Sequence, residues 1–463
     1  MMILAIGTLS AQDSKAFTPS GNFYGYGFGD YYYMAHSDSL GRGAGNLQYK
    51  PYSTTSGLNV NIPTGVTSVT TLTGTPPTSA TTTSTLTNTK TNLLGSGSNN
   101  NTDANGFQIR RFYLGYDYNF APNFTASTVL ADEQNLDAGG NNTVYLKTAL
   151  VKWANILPKS KNLLNVIIGQ QPTASFATPF GTEPLWGYRS VEKTIMDIHS
   201  NDSSTDLGVS LTGDLWHGMS GDSLKPNLIG YVLQLGNGNS AKPENDHYKT
   251  LRGNLYTSLL KQKLTVGVYG DYRNLAIGAV NQSAHTFKGY ATYNTSKFKI
   301  GAEVFSQIYV NGAKLSTGTY QNANVFGWSV FLSGKLLPKV NYYAMVDRYN
   351  PDTKYDKNST YSSVPSLITP QYTTTGSVYT LGASKFSQAA VFSTQNMLVT
   401  GLDFTPVNRF HIMPNIWVTQ FNSRVNLPDA AKNAKRDYDI VPRVTFYYIF
   451  NGLKKVGNNG LDI

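Results

Sequence analysis

From Asn22 onward, apolar and polar residues alternate with a period of two, the pattern of a strand whose faces meet different environments. In 107–120, Phe112, Leu114, Tyr116, Tyr118 and Phe120 share one face, and Arg111, Tyr113, Gly115, Asp117 and Asn119 share the other. In 205–215, Leu207, Val209, Leu211 and Leu215 oppose Asp206, Gly208, Ser210, Thr212 and Asp214. Segment 263–273 sets Leu264, Val266, Val268 and Tyr272 against Thr265, Gly267, Tyr269, Asp271 and Arg273. Segment 298–307 sets Phe298, Ile300, Ala302 and Val304 against Lys299, Gly301, Glu303 and Gln307. A soluble sandwich alternates in the same way. Tyr and Phe near the strand ends of the apolar faces favour an outer surface in lipid and a polar lumen.

The pattern predicts sixteen strands: 22–34, 107–120, 123–133, 143–154, 163–171, 205–215, 226–236, 248–259, 263–273, 285–293, 298–307, 324–334, 339–349, 396–405, 409–420 and 440–450. Most have the length that a tilted strand needs to cross the hydrocarbon core. The connections alternate in length. Short ones include Ala121-Pro122-Asn123, Pro158 to Asn162, Leu260 to Gln262, Asn294 to Lys297 and Pro406 to Asn408. Between them fall 35–106, 134–142, 172–204, 237–247, 274–284, 308–323, 350–395 and 421–439; one turn, 216–225, is longer than the rule requires. Short periplasmic turns and long extracellular loops mark outer-membrane barrels, whereas a sandwich gives no reason for the alternation. The expected fold is all-β: a transmembrane antiparallel β-barrel of about sixteen strands over 13–450, with both termini in the periplasm and a periplasmic tail at 451–463.

The N-terminus fits export. Met2 to Leu9 is a short apolar run, and Ser10-Ala11-Gln12 supplies small residues for cleavage, so 1–12 reads as a secretory signal peptide without its basic start. No other segment approaches the roughly 18 apolar residues of a membrane helix. Two loops stand out. Residues 51–106 are rich in Thr, Ser, Asn and Gly, with only Lys90 and Asp103 charged. They are expected to form a flexible surface loop, although alternating pieces such as Leu58 to Ile62 could extend the flanking strands. Loop 172–204 has a helix-compatible pattern from Glu183 to Asp197 behind Pro184. It is expected to fold into the lumen, with Arg189, Glu192 and Lys193 lining a constriction.

Composition sharpens this picture. Charged residues make up 14% of the chain, aromatics 12%, and there are 31 tyrosines and 43 glycines. That is too few charges for a typical soluble domain and suits aromatic girdles at two interfaces. The absence of cysteine excludes disulfides, thiolate metal sites and thiol nucleophiles. The net charge of +10 reads as scattered surface lysines, or as a pore favouring anions or a rim meeting lipid phosphates. Basic residues cluster only as short pairs such as Arg110-Arg111 and Lys454-Lys455, which argues against nucleic-acid binding.

Enzyme and cofactor signatures are missing. No two of the six histidines have metal-ligand spacing, and there is no G-x-S-x-G elbow or phosphate-binding loop. A hydrolase would need a Ser–His pair on the lipid face near the outer rim, where His285 alone is placed. Asp132-Glu133 are strand neighbours pointing to opposite faces, not a paired-carboxylate site. By alternation, Arg111, Arg252, Arg273, Lys299 and Arg443 point inward with Asp117, Asp206, Asp214, Asp271 and Glu303. Such a mixture implies a transverse field with weak anion preference.

Several stretches together resemble the phosphate-selective porin O and P-like family in its Bacteroidetes form. Phe107-Gln108-Ile109-Arg110-Arg111 is similar to its arginine-pair strand. Leu150-Val151-Lys152-Trp153 with Val166-Ile167-Ile168-Gly169-Gln170 is similar to its hairpin ending in glycine-glutamine. Pro179-Phe180-Gly181, Tyr188-Arg189-Ser190, Asp206-Leu207-Gly208-Val209 and Leu235-Gly236-Asn237-Gly238 follow in order. Asp347-Arg348-Tyr349-Asn350-Pro351-Asp352, Gly401-Leu402-Asp403-Phe404-Thr405-Pro406 and Met413-Pro414-Asn415 complete the run. The resemblance implies a sixteen-stranded homotrimeric porin without cofactor, passing small solutes or anions among outer-membrane lipid and lipopolysaccharide. It does not carry phosphate selectivity, because the inward charges are mixed rather than a dense basic ladder. The expected function is passive diffusion and not catalysis. The alternative is a closed barrel serving as a surface adhesin or as part of a larger assembly.

Overall fold

The computed structural model describes residues 17–38, 59–73, 79–92, 102–133, 142–218, 227–244, 247–275, 281–315, 318–356, 361–363, 393–424 and 435–451. The expected signal peptide 1–12, the tail from 452 and most of 350–395 lie outside them.

Strand β1 (Ser20–Tyr33) is followed by a hairpin, β2 (Asn59–Thr73) and β3 (Ser79–Asn92). The chain continues as β4 (Asn105–Ala121), β5 (Phe124–Asp132), β6 (Tyr145–Trp153) and β7 (Asn165–Pro172). Two short helices follow, α1 (Thr182–Trp186) and α2 (Ile195–Ile198). Next come β8 (Thr205–Gly218), β9 (Asn227–Gly236), β10 (Thr250–Leu259), β11 (Leu264–Leu275), β12 (Gln282–Asn294), β13 (Phe298–Leu315), β14 (Tyr320–Leu337) and β15 (Val340–Asn350). The short β16 (Tyr361–Ser363) precedes β17 (Ser393–Val407), β18 (Phe410–Ser423) and β19 (Arg436–Asn451).

All of these strands except β2, β3 and the accessory β16 form one antiparallel barrel of sixteen strands. It closes through β1, where Tyr26 faces Tyr113 of β4 on one side and Ile449 of β19 on the other. Closure removes every strand edge, so no backbone donor or acceptor is left facing hydrocarbon. No helix among the described residues is long and apolar enough to cross a membrane; the strands make the crossing.

Adjacent residues show the two faces. Leu211, Leu235, Leu251, Val268, Phe287 and Val304 are exposed on the outside, whereas their neighbours Ser210, Gln234, Arg252, Tyr269, Lys288 and Glu303 are buried inside. A large apolar outer surface is stable only in lipid, which places the barrel in an outer membrane. Near the short-turn end, this surface carries aromatic rings such as Phe120, Phe124, Trp153 and Phe298. Many glycines are explained by ring packing: Tyr290 lies over Gly267, Phe331 over Gly301 and Tyr24 over Gly115, where a Cβ would overlap the ring.

The structure corrects three expectations. Residues 51–106 contain an antiparallel hairpin outside the barrel, with Val66 opposite Leu86; its many threonines are strand formers despite their polarity. Strand occupies both ends of 274–284 and most of 308–323, because β11 reaches Leu275, β12 begins at Gln282, β13 reaches Leu315 and β14 starts at Tyr320. A hydrogen-bonded ladder continues beyond the bilayer where both faces meet water and alternation fades. Finally, 183–197 is not one helix. Gly187, at φ 79°, ends α1 in a left-handed cap, with its N–H donating to the Glu183 carbonyl.

The faces can be tested at Leu211, midway along β8. Leu211→Arg is expected to cost roughly 2–4 kcal/mol near the bilayer midplane, measured by denaturant unfolding in lipid vesicles. A variant as stable as the parent would refute the assigned lipid face.

Candidate functional site

The connection between β7 and β8, residues 173–204, lies inside the barrel and meets inner-wall side chains around its circumference. Trp186 packs against Phe331 of β14 and Tyr343 of β15, and its indole N–H donates to the Glu192 carbonyl at 3.0 Å. His199 stacks on Tyr349 with ring centres 3.5 Å apart. Phe176, Ile195 and Met196 are buried in the same interior.

Charged groups fix the rest of the segment in four places. Buried Asp30 of β1 pairs with Arg110 of β4 at 2.6 Å and Arg443 of β19 at 3.5 Å. These guanidiniums donate to loop carbonyls: Arg110 to Ser190 and Val191, and Arg443 to Val191 at 3.2 Å. Arg443 also lies 3.3 Å from the Trp417 ring centre. In the second place, Glu133 pairs with Lys147 at 2.6 Å and Arg189 at 3.3 Å. Arg189 also pairs with Glu183 and donates to the Tyr113 hydroxyl at 2.6 Å.

The third place joins four sequence-predicted residues. Arg252 pairs with Asp206 at 2.7 Å and with loop residue Asp202 at 2.8 Å. Arg273 donates to the Asn201 carbonyl at 2.7 Å. Asp271 accepts from the Tyr269 hydroxyl at 2.8 Å. In the fourth, Lys288 donates to the Ser175 carbonyl and the Thr182 hydroxyl and lies 3.5 Å from Glu303.

The other predicted residues stand apart. Arg111 lies over the Phe28 ring at 5.7 Å. Asp117 accepts from Ser127 at 2.6 Å. With Asp214 and Lys299, Asp117 is partly exposed on the inner wall towards the short-turn end. On the loop, Lys193 pairs with Asp197 at 3.0 Å, and its backbone N–H donates to the Glu192 carboxylate at 2.8 Å.

Burial and ion pairing together set ionisation in the loop and at Glu133 beside it. Burial pushes Glu133 up, but Lys147 and Arg189 outweigh it and hold the carboxyl well below its usual range. Burial raises Glu192 despite nearby Arg110 and Arg443. It lowers His199 well below the usual histidine value, keeping the ring neutral. Burial also pulls Lys193 down to about 8 against the attraction of Asp197.

Alternation alone missed several of these groups. The register shifts between Phe28 and Gly29, so Phe28 faces Arg111 while Gly29 faces Ile109, and Arg110 is the extra residue of a bulge. Both arginines therefore turn inward. The signal was present: outward Ile109 and Phe112 are three residues apart, not two. A second bulge, between Val129 and Leu130, releases Lys147 in the same way. Asp30 and Lys288 were readable by parity against Tyr31 and Phe287. Glu133 and Asp202 lie outside strands, where parity says nothing.

His285 does meet a serine: its Nε2 lies 3.1 Å from Ser283 Oγ on the outer face. The residues facing this pair on β11 and β13 sit in continuous ladders, which occupy the amides that could bind an oxyanion. Three or more His, Asp or Glu side chains arranged to hold a metal do not occur among the described residues.

Arg252 links the wall carboxylate Asp206 to the loop carboxylate Asp202. Arg252→Ala takes the main cationic partner from two buried carboxylates, a loss of about 3–5 kcal/mol at that contact. The expected result is a closed, heat-modifiable barrel in which trypsin cuts the loop at Arg189 and Lys193, positions protected in the parent. Equal resistance in both proteins would show that Arg252 does not fix the loop.

No protein-family model matches the chain, and no curated protein does. Solved structures share its fold. The outer membrane channel DcaP of Acinetobacter baumannii aligns with TM-score 0.53 at 10% identity, covering 96% of this chain and 100% of that one. The anion-selective porin from Comamonas acidovorans aligns with TM-score 0.52 at 9% identity, covering 94% and 100% respectively. At such identities the likeness is one of architecture, and this chain has the barrel fold found in outer-membrane porins.

Proposed function

We propose that this protein is an outer-membrane channel for passive diffusion of small hydrophilic solutes or ions, with its short turns towards the periplasm. The observation that carries this reading is the polar inner wall. It keeps partly exposed charges, Asp117, Asp214 and Lys299, below the inward segment, and Lys193 on it. A wall of this kind is favourable only against water. Segment 173–204 acts as the constriction, with Arg189, Glu192 and Lys193 in the narrow zone. Most strong charges there are paired, so selection is weak, and Arg111 with Lys299 tilts it towards anions. The motif order that resembles phosphate-selective porin O and P-like proteins supports a homotrimer whose long loops meet lipopolysaccharide; the mixed lumen charges do not support phosphate selectivity.

One observation favours a second reading. Trp186, Phe176 and Met196 are fully buried within the lumen, as they would be in a plugged barrel used for adhesion or assembly. Planar-bilayer recording separates the two. Stable single-channel steps with a reversal potential modestly on the anion side are expected under a salt gradient. Folded, heat-modifiable protein that gives no steps would replace the channel with the plugged barrel.

Lys193 adds a pH dependence. It is charged below about 8 and neutral above, so anion preference should fall as pH rises from 7 to 9. Lys193→Met should show the alkaline behaviour already at pH 7. Because the folded chain releases this proton before the unfolded chain does, the same shift contributes stability as pH rises from about 8 towards ~10.4. A reversal potential constant across this range would remove Lys193 from the conduction path.

A further inference from the structure

The net charge of +10 is unevenly placed. Four successive short connections, from β10 to β18, carry Lys261, Lys263, Lys297, Lys339 and Arg409, and Lys335 lies at the end of β14 beside them; all six are exposed. The connection from β6 to β7 adds exposed Lys159 and Lys161. None of these connections contains Asp or Glu. At the opposite end the exposed cations mix with carboxylates, as where Lys249 pairs with Glu244.

The depth of this arc is set by its neighbours. Leu260 precedes Lys261, Phe298 follows Lys297, Leu336 and Leu337 lie between Lys335 and Lys339, and Val407 comes two residues before Arg409; all five apolar side chains are exposed. These side chains mark where hydrocarbon ends. Basic side chains one or two residues further on have stems that can run along apolar surface and heads at the level of lipid phosphates. Successive short turns are two strand spacings apart, roughly 10 Å. The charges are therefore spread around the rim and do not converge on one small anion.

We propose that this arc binds the phosphates of anionic phospholipids in the leaflet at the short-turn end. The inference rests on the barrel and its apolar belt, and it holds whether or not the lumen conducts.

The test compares the full-length protein with a rim variant (Lys261→Gln, Lys263→Gln, Lys297→Gln, Lys335→Gln and Lys339→Gln) and with a control at the other end (Lys242→Gln, Lys354→Gln and Lys435→Gln). Each is reconstituted in phosphatidylcholine with and without phosphatidylglycerol. Lipid retained after extraction is read by native mass spectrometry, and barrel unfolding by heat modifiability. The parent and the control are expected to retain phosphatidylglycerol preferentially and to unfold at higher temperature with it. The rim variant should lose both effects, at about fivefold in affinity per cation removed, while unfolding like the parent in phosphatidylcholine alone. A parent without preference, or a rim variant that keeps it, would overturn the proposal. Displacement of phosphatidylglycerol by inorganic phosphate, with the same thermal shift, would assign the arc to free anions instead.

Discussion

Hydrocarbon offers no hydrogen bonds, so every backbone amide and carbonyl that crosses it must be satisfied by the chain itself. The rest of this structure depends on that constraint. It forces the sheet to close, and closure through β1 between β4 and β19 divides each strand into an outer and an inner face. The outer face is apolar because its solvent is lipid. The inner face is free to carry the charge that the outer face cannot, and nearly all the chemistry of the molecule collects there.

The inward segment exploits this division. Its charged contacts lie where water is scarce, so they are strong once formed and costly when broken. Such pairs add little net stability compared with apolar packing. They do define one position for the segment, because any displacement would strand a buried charge. Two bulges support the arrangement by turning Arg110 and Lys147 inward. The same groups that fix the segment also balance one another, which leaves few free charges to act on a passing solute. Positive charge that the lumen does not hold appears instead on the short turns, beside the apolar belt.

Much of the fold could be read from the residues. Period-two alternation located all sixteen barrel strands, and the alternation of connection lengths distinguished the short-turn end from the long-loop end. Strand ends were less legible, since Gln282 and Leu315 lie where both faces meet water and the hydrophobic signal is lost. The hairpin at 59–73 and 79–92 was missed because its threonines make a strand without an apolar face. Parity likewise located Arg252, Asp271 and Arg273 on the inner wall.

The sequence by itself determined what most strand residues face, because a pleated strand in a bilayer leaves only two choices and polarity selects between them, except at the bulges that turn Arg110 and Lys147 inward. Only the tertiary structure decided which charges meet. Asp202 reaches Arg252, and Arg110 reaches the carbonyls of Ser190 and Val191, through contacts between segments far apart in the chain. These contacts depend on the path of one irregular connection through the lumen. No periodicity encodes that path, because it is set by packing against many strands at once.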